Sequence, residues 1–224
     1  MKHNITSRAM HSTFPELYQA FARHPKPKSI AVCPCCMDQE EVDVMLKKQR
    51  DVLTADELSS YASSVFLTCG DISDFMYFFP RILELQLLDV FSWPNPEVYY
   101  RAIGQAEFNN WTDAEQSVVI QLTVDKINTL SMHAENGAEV DTWLCALSSI
   151  MNDISPVLDN LESTEVWGDF IDWNIKALTE AKLTNSFWDD RPEQAKQLLN
   201  RLQSNSVRAL CGDRYGMVFD DEGA

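Results

Sequence analysis

Repeated helix-start signals constrain the fold of this sequence more than any other feature. Thr13, Thr54 and Thr112 each stand three positions before a glutamate, which is the capping-box pattern of a helix N-terminus. Only 7 of the 224 residues are glycine, and long alternation of apolar and polar residues is missing from the chain. These patterns predict an all-α fold.

The intervals between start and stop signals predict eight or nine helices. Short connections favour antiparallel neighbours, so we expect antiparallel αα-hairpins in an irregular helical bundle or a short solenoid-like stack. Kinks are predicted at Pro80 and Pro156. The predicted helices begin near Thr13, Asp38, Thr54, Asp71, Asn95, Thr112, Ala138, Thr164 and Pro192.

The length suits one large domain or two small ones. Hydrophobic residues make up 45% of the chain, enough for a substantial core. We predict a single helical domain over residues 1–224, with a looser stretch at 91–95 where two halves would divide. Without a fixed sequence period, a regular repeat array is not expected.

The apolar residues are distributed in short runs. No run of eighteen apolar residues and no stretch typical of a signal peptide occurs, so neither a membrane span nor secretion is expected. The six cysteines then indicate cytosolic thiols rather than a disulfide framework, and a cytoplasmic location.

The acidic charge is unevenly distributed. The net charge is -16, but residues 1–50 carry eight basic and five acidic side chains, whereas residues 51–224 carry ten and twenty-nine, a net charge of -19. Negative charge of this size on residues 51–224 repels phosphate backbones, so direct binding to nucleic acid is disfavoured. The same charge attracts a basic protein partner. The alternative is that the charge serves only ordinary solubility.

Motifs of known catalytic sites are missing from the sequence. It contains neither a nucleophile elbow nor a phosphate-binding glycine loop. His3, His11, His24 and His133 have no metal-ligand or catalytic spacing, and Asp71 with Asp74 is more typical of a helix cap than of an acid catalyst. We therefore expect no enzymatic activity and no cofactor.

Cys33, Cys35 and Cys36 form the sharpest local motif, with Pro34 between the first two. Three thiolates within four residues suit a soft metal ion, but no second cysteine pair completes a zinc-finger pattern. A redox role is another alternative. We expect a structural role at a tight turn, and no tightly bound metal.

Two acidic segments contain tryptophan, at 162–173 and 187–190. Aromatic anchors and carboxylates are typical of an interface with a basic partner. The alternative is that the tryptophans belong to the core and the carboxylates to a solvated face. The predicted partner-binding residues are Trp167, Asp169, Asp172, Trp188, Asp189 and Asp190.

Cys33–Cys36, together with residues 53–62 and 70–85, resembles a widespread family of uncharacterised bacterial helical proteins. The resemblance covers about residues 20–90. Some small acidic helical proteins of this kind are immunity proteins of contact-dependent growth inhibition systems. The resemblance therefore implies a protein that neutralises a basic toxin domain of the nuclease class by occluding its active-site groove. A helical scaffold with another protein partner, and a metal or thiol protein built on the cysteine motif, are the alternatives.

Overall fold

The computed structural model describes residues 14–218, and α- and 3-10 helices together cover 64% of them. No β-strand occurs in this part of the chain, so the all-α prediction is confirmed. The α-helices are α1 Pro15–Ala20, α2 Gln39–Lys47, α3 Ala55–Ser64, α4 Ile72–Leu87, α5 Pro96–Gln105, α6 Asp113–Leu130, α7 Gly137–Leu147, α8 Ser155–Leu161, α9 Trp167–Trp173, α10 Lys176–Thr179, α11 Pro192–Leu202 and α12 Asn205–Tyr215. The 3-10 helices are Arg50–Val52, Phe108–Asn110 and Ser186–Asp190.

Between residues 14 and 218 there are thus twelve α-helices rather than eight or nine, because three predicted helices are each divided. The predicted helix from Ala138 to Leu161 breaks after Leu147, and Pro156 lies in the first turn of α8. A proline is tolerated there because the first backbone N–H groups of a helix have no helical partner.

The other two divisions occur at residues whose side chains are hydrogen-bonded. The helix predicted from Thr164 to Leu183 is interrupted at Asn174, whose side chain is buried and hydrogen-bonded. The helix predicted from Pro192 is interrupted at Ser204, whose hydroxyl accepts a hydrogen bond from the backbone N–H of Val207 and so caps α12.

Capping boxes form where the sequence predicts them. At α3, the Thr54 hydroxyl and the Glu57 carboxylate accept each other's backbone N–H. Thr112 and Glu115 do the same at α6. The predicted box at Thr13 lies outside the described residues. Pro80 lies inside α4, which continues through it to Leu87.

The chain divides into two compact units within α6, one as far as Leu122 and one from Thr123. We call these the first and second units. The single helical domain over 1–224, with its looser stretch at 91–95, stays a prediction. None of the helices in the described chain is long and apolar enough to cross a bilayer.

Aromatic rings of α4 form the centre of the first unit. Phe79 contacts Phe21, Phe75 and Trp111 with ring centroids 5.3–5.5 Å apart, and Trp111 meets Phe21 edge to face at 5.5 Å. Phe21, Phe75 and Phe79 are fully buried. These contacts fix the loops around α1 and α6 on α4.

A buried carboxylate joins the end of α1 to the start of α6. Glu115 is fully buried and accepts two hydrogen bonds from the Arg23 guanidinium, each 2.9 Å long. His24 Nε2 lies 2.6 Å from Glu115 Oε1, and the backbone N–H of Thr112 donates at 2.8 Å. Burial opposes the charge, but these donors outweigh it and lower the pKa of Glu115 to about 2.

A second buried carboxylate begins α4. Asp74 is only 2% exposed, and it accepts hydrogen bonds from the Tyr61 hydroxyl and the Asp71 backbone N–H. Loss of solvation outweighs these bonds and raises the pKa of Asp74 to about 6.

Asp74 should make the free energy of unfolding depend on pH. Its pKa is about 6 in the folded state against 3.8 for an ordinary aspartate, so the folded state binds more protons between these values. The resulting stabilisation is complete below about pH 4 and is lost as the pH rises through 6, by about 3 kcal/mol at most. Urea unfolding at a series of pH values measures it.

Asp74→Asn should remove this dependence, because the amide does not titrate. Asp71→Asn alters the exposed member of the same capping box and is the matched control, which should keep most of the dependence. An unchanged pH dependence in Asp74→Asn would contradict the assignment.

Candidate functional site

The predicted partner-binding residues lie on α9 and on the 3-10 helix Ser186–Asp190 of the second unit. Neither predicted tryptophan is exposed: Trp167 retains 8% of its surface and Trp188 only 1%. Trp167 stacks on Phe170, with centroids 5.6 Å apart and planes 16° apart. The expectation that these indoles are exposed anchors is therefore corrected, because both belong to the core.

Asp141 on α7 explains why Trp188 points inward. The Trp188 indole N–H donates to Asp141 Oδ1 at 3.3 Å, and the Asn174 amide donates to the same oxygen at 3.0 Å. The Asn185 side chain also hydrogen-bonds this carboxylate. Asp141 is fully buried, and the loss of solvation raises its pKa despite these donors.

Asp169 and Asp172 have partners inside the unit. Asp169 Oδ2 accepts the backbone N–H of Gly137 at 2.6 Å, at the start of α7. A Cβ at position 137 would lie 2.5 Å from the Asp169 backbone carbon, so only glycine permits this approach. Asp172 accepts the Tyr215 hydroxyl and lies 4.0 Å from Arg214 Nη2. Both carboxylates therefore hold neighbouring helices.

Asp189 and Asp190 differ, since both are exposed and neither carboxylate has a hydrogen bond or ion pair with another described residue. In the same 3-10 helix Phe187 is 37% exposed, and at the end of α9 Trp173 is 41% exposed. We call Trp173, Phe187, Asp189 and Asp190 the acidic aromatic face.

Backbone contacts hold this face in place. Arg191 is buried, and its guanidinium donates to the Phe187 carbonyl at 2.7 Å, while its backbone N–H donates to the Trp188 carbonyl at 2.9 Å. The Thr184 hydroxyl donates to the Trp173 carbonyl at 2.6 Å. Sequence reasoning missed Trp173 and Phe187 as exposed aromatics, because the buried acceptor that selects Trp188 for the core lies 47 residues away.

An acidic cleft of about 290 Å³ lies between α2 and α3 in the first unit. Two of its carboxylates already serve as caps: Glu41 accepts the Asp38 N–H at 2.9 Å, and Glu57 accepts the Thr54 N–H at 3.1 Å. Glu40 and Asp56 remain exposed at its rim. The lining residues are Glu40, Glu41, Val44, Asp56 and Glu57.

The predicted cysteine motif forms a cluster of sulfur atoms. Cys33 Sγ lies 2.8 Å from Cys35 Sγ, which lies 3.5 Å from Cys36 Sγ, and all three are within 4.8 Å of one another. The Cys35 thiol and the backbone N–H groups of Cys35 and Cys36 lower the pKa of Cys33. The same sulfur contacts raise the pKa of Cys35 to about 11.

The loop that carries this cluster is fixed to the segment after α3. The Cys33 backbone N–H donates to the Thr68 carbonyl and the Gly70 N–H to the Ala31 carbonyl, each at 2.8 Å. Cys69 in that segment is buried, and burial raises the pKa of its thiol to about 12. Cys69 is thus a packed thiol beside the cluster.

The histidines and the pair Asp71 and Asp74 form no catalytic arrangement among the described residues. His24 contacts the buried Glu115, and His133 is exposed after α6. Asp71 and Asp74 form the cap of α4. His3 and His11 lie outside the described residues.

Comparison with known proteins adds no relative. No family model, no curated protein and no solved structure matches the chain significantly.

The core position of Trp188 can be tested against its exposed neighbour. Trp188→Ala should lower the free energy of unfolding by about 3–5 kcal/mol, because it leaves a cavity and removes a donor to Asp141. Phe187→Ala is the matched control and should change it by less than about 1 kcal/mol. Both values come from urea denaturation, and equal effects of the two substitutions would show that the assigned burial is wrong.

Proposed function

We propose that this protein binds and neutralises a basic toxin domain of the nuclease class. The observation that carries the proposal is the acidic aromatic face on a second unit of strong negative charge. From Thr123 onward the chain has eight basic and eighteen acidic residues, a net charge of -10. The toxin class follows from the family resemblance, and the cytoplasm is the proposed place of action.

The chemistry of the face suits a cationic partner. Asp189 and Asp190 can accept hydrogen bonds from a partner's lysine or arginine without losing a bond to another described side chain. Trp173 and Phe187 offer exposed apolar surface in the same unit, and large aromatic side chains supply much of the binding energy at interfaces. Together they could cover a groove that otherwise receives phosphates.

The six predicted residues then divide into two roles. Asp189 and Asp190 would contact the partner directly, with Trp173 and Phe187 replacing the buried tryptophans as anchors. Trp167, Trp188, Asp169 and Asp172 would support the face through their contacts within the unit.

A helical scaffold of antiparallel hairpins for another protein partner is the second candidate. The observation that favours it is the acidic cleft between α2 and α3, where Glu40 and Asp56 could receive a basic side chain. A scaffold that uses this cleft does not require a toxic partner.

Co-expression tests the biological role. The product of the neighbouring gene should arrest growth when expressed alone, and this chain should restore growth by binding it. If the neighbouring product is not toxic, or if the chain fails to bind it, the immunity proposal is wrong and the scaffold remains.

Charge reversal tests the surface. Asp189→Lys with Asp190→Lys should slow association with that product by about tenfold or more at low salt, because steering depends on local charge. Glu40→Lys with Asp56→Lys changes the net charge equally and is the matched control. Stopped-flow or surface-based kinetics measure both rates.

The comparison separates three explanations. Slowing confined to the Asp189 and Asp190 pair supports the acidic aromatic face. Slowing confined to Glu40 and Asp56 moves the interface to the cleft, and equal slowing indicates that only net charge matters.

A further inference from the structure

We propose that Cys33, Cys35 and Cys36 form a binding site for a soft, thiophilic metal ion, either Zn²⁺ or Cu⁺. The proposal is independent of the partner proposed above. It reverses the sequence-based expectation of a structural turn without metal, because the structure brings the three sulfur atoms onto one side of the turn.

The distances between the sulfur atoms suit a shared ion. A zinc–sulfur bond of about 2.3 Å in tetrahedral geometry places neighbouring sulfurs about 3.8 Å apart. The two observed separations of 2.8 Å and 3.5 Å are shorter than that value, and the third pair is no more than 4.8 Å apart, so a modest opening of the cluster would accommodate an ion. Small rotations of the exposed Cys35 and Cys36 side chains would bring each sulfur to bonding distance.

The surrounding backbone supports such a site. The Cys36 N–H donates to the Cys33 carbonyl at 2.9 Å, which closes the turn and holds the two cysteines close together. Cys33 and Cys36 have the C-x-x-C spacing common in zinc sites.

The anchoring of the loop adds a second argument. Cys33 is held by the Thr68 carbonyl, so the ligand turn is fixed to the protein before an ion arrives. Cys69 beside it is buried and bonded toward the Tyr61 carbonyl, so it is not counted as a ligand. The three thiolates leave a fourth position for water or a partner's side chain on Zn²⁺, whereas Cu⁺ is satisfied by soft thiolates alone.

The test uses the full-length protein, reduced and freed of metal. Zn²⁺ is titrated against a chromophoric chelator, and Cu⁺ is titrated without oxygen against a copper-selective chelator. One ion per chain should bind, and bound Co²⁺ should show a thiolate-to-metal charge-transfer band. Each protonated thiol that binds the ion releases its proton to solvent.

Substitution assigns the ligands. Cys36→Ser should weaken binding by at least about 100-fold, since loss of a ligand exceeds the roughly 10–100-fold cost of losing an outer-shell partner. Cys211→Ala removes a fully buried thiol of α12 and should leave the affinity unchanged. Circular dichroism establishes that both variants are folded.

The outcomes decide the proposal. Binding of either ion that is lost in Cys36→Ser and kept in Cys211→Ala supports it, and the tighter ion identifies the metal. No binding stronger than that of free cysteine, or binding unaffected by Cys36→Ser, overturns it.

Discussion

The buried carboxylate of Asp141 is the interaction on which the organisation of the second unit depends. An ionisable group taken out of water needs several donors, and here they come from Asn174, Asn185 and the Trp188 indole N–H. Those donors belong to the end of α9 and to the 3-10 helix Ser186–Asp190. One acceptor on α7 therefore determines how two later segments pack.

That arrangement also determines what faces the solvent. Because Trp188 is directed to Asp141, its neighbours Phe187, Asp189 and Asp190 are directed outward. The carboxylates of this unit thereby divide into those that hold helices together, such as Asp169, and those that have no described partner. Only the second kind can bind a cationic protein without a loss of internal contacts, which is why the proposed interface rests on them.

Local signals in the sequence predicted helix starts well. The boxes at Thr54 and Thr112 depend on residues three positions apart, so a short window contains all the information. The sequence predicts a kink at Pro156 inside one helix, but the backbone break that makes it a first-turn residue depends on packing. Asn174 interrupts its helix because it binds Asp141, 33 residues away.

The candidate sites show the same limit. Composition indicates an acidic, aromatic region. It does not indicate which of the adjacent Phe187 and Trp188 is buried, because that depends on Asp141, an acceptor 47 residues from Trp188. The sequence shows the thiol motif directly. The convergence of its sulfurs depends on the turn, which the Cys36 N–H closes on the Cys33 carbonyl and the Thr68 carbonyl holds through the Cys33 N–H.

Hydrogen exchange of the complex tests the central claim, that the acidic aromatic face receives the basic partner. On addition of the neighbouring gene's product, backbone amides across residues 173–190 should exchange more slowly, while those of α2 and α3 keep their free rates. Protection confined to α2 and α3, with residues 173–190 unchanged, would contradict the account.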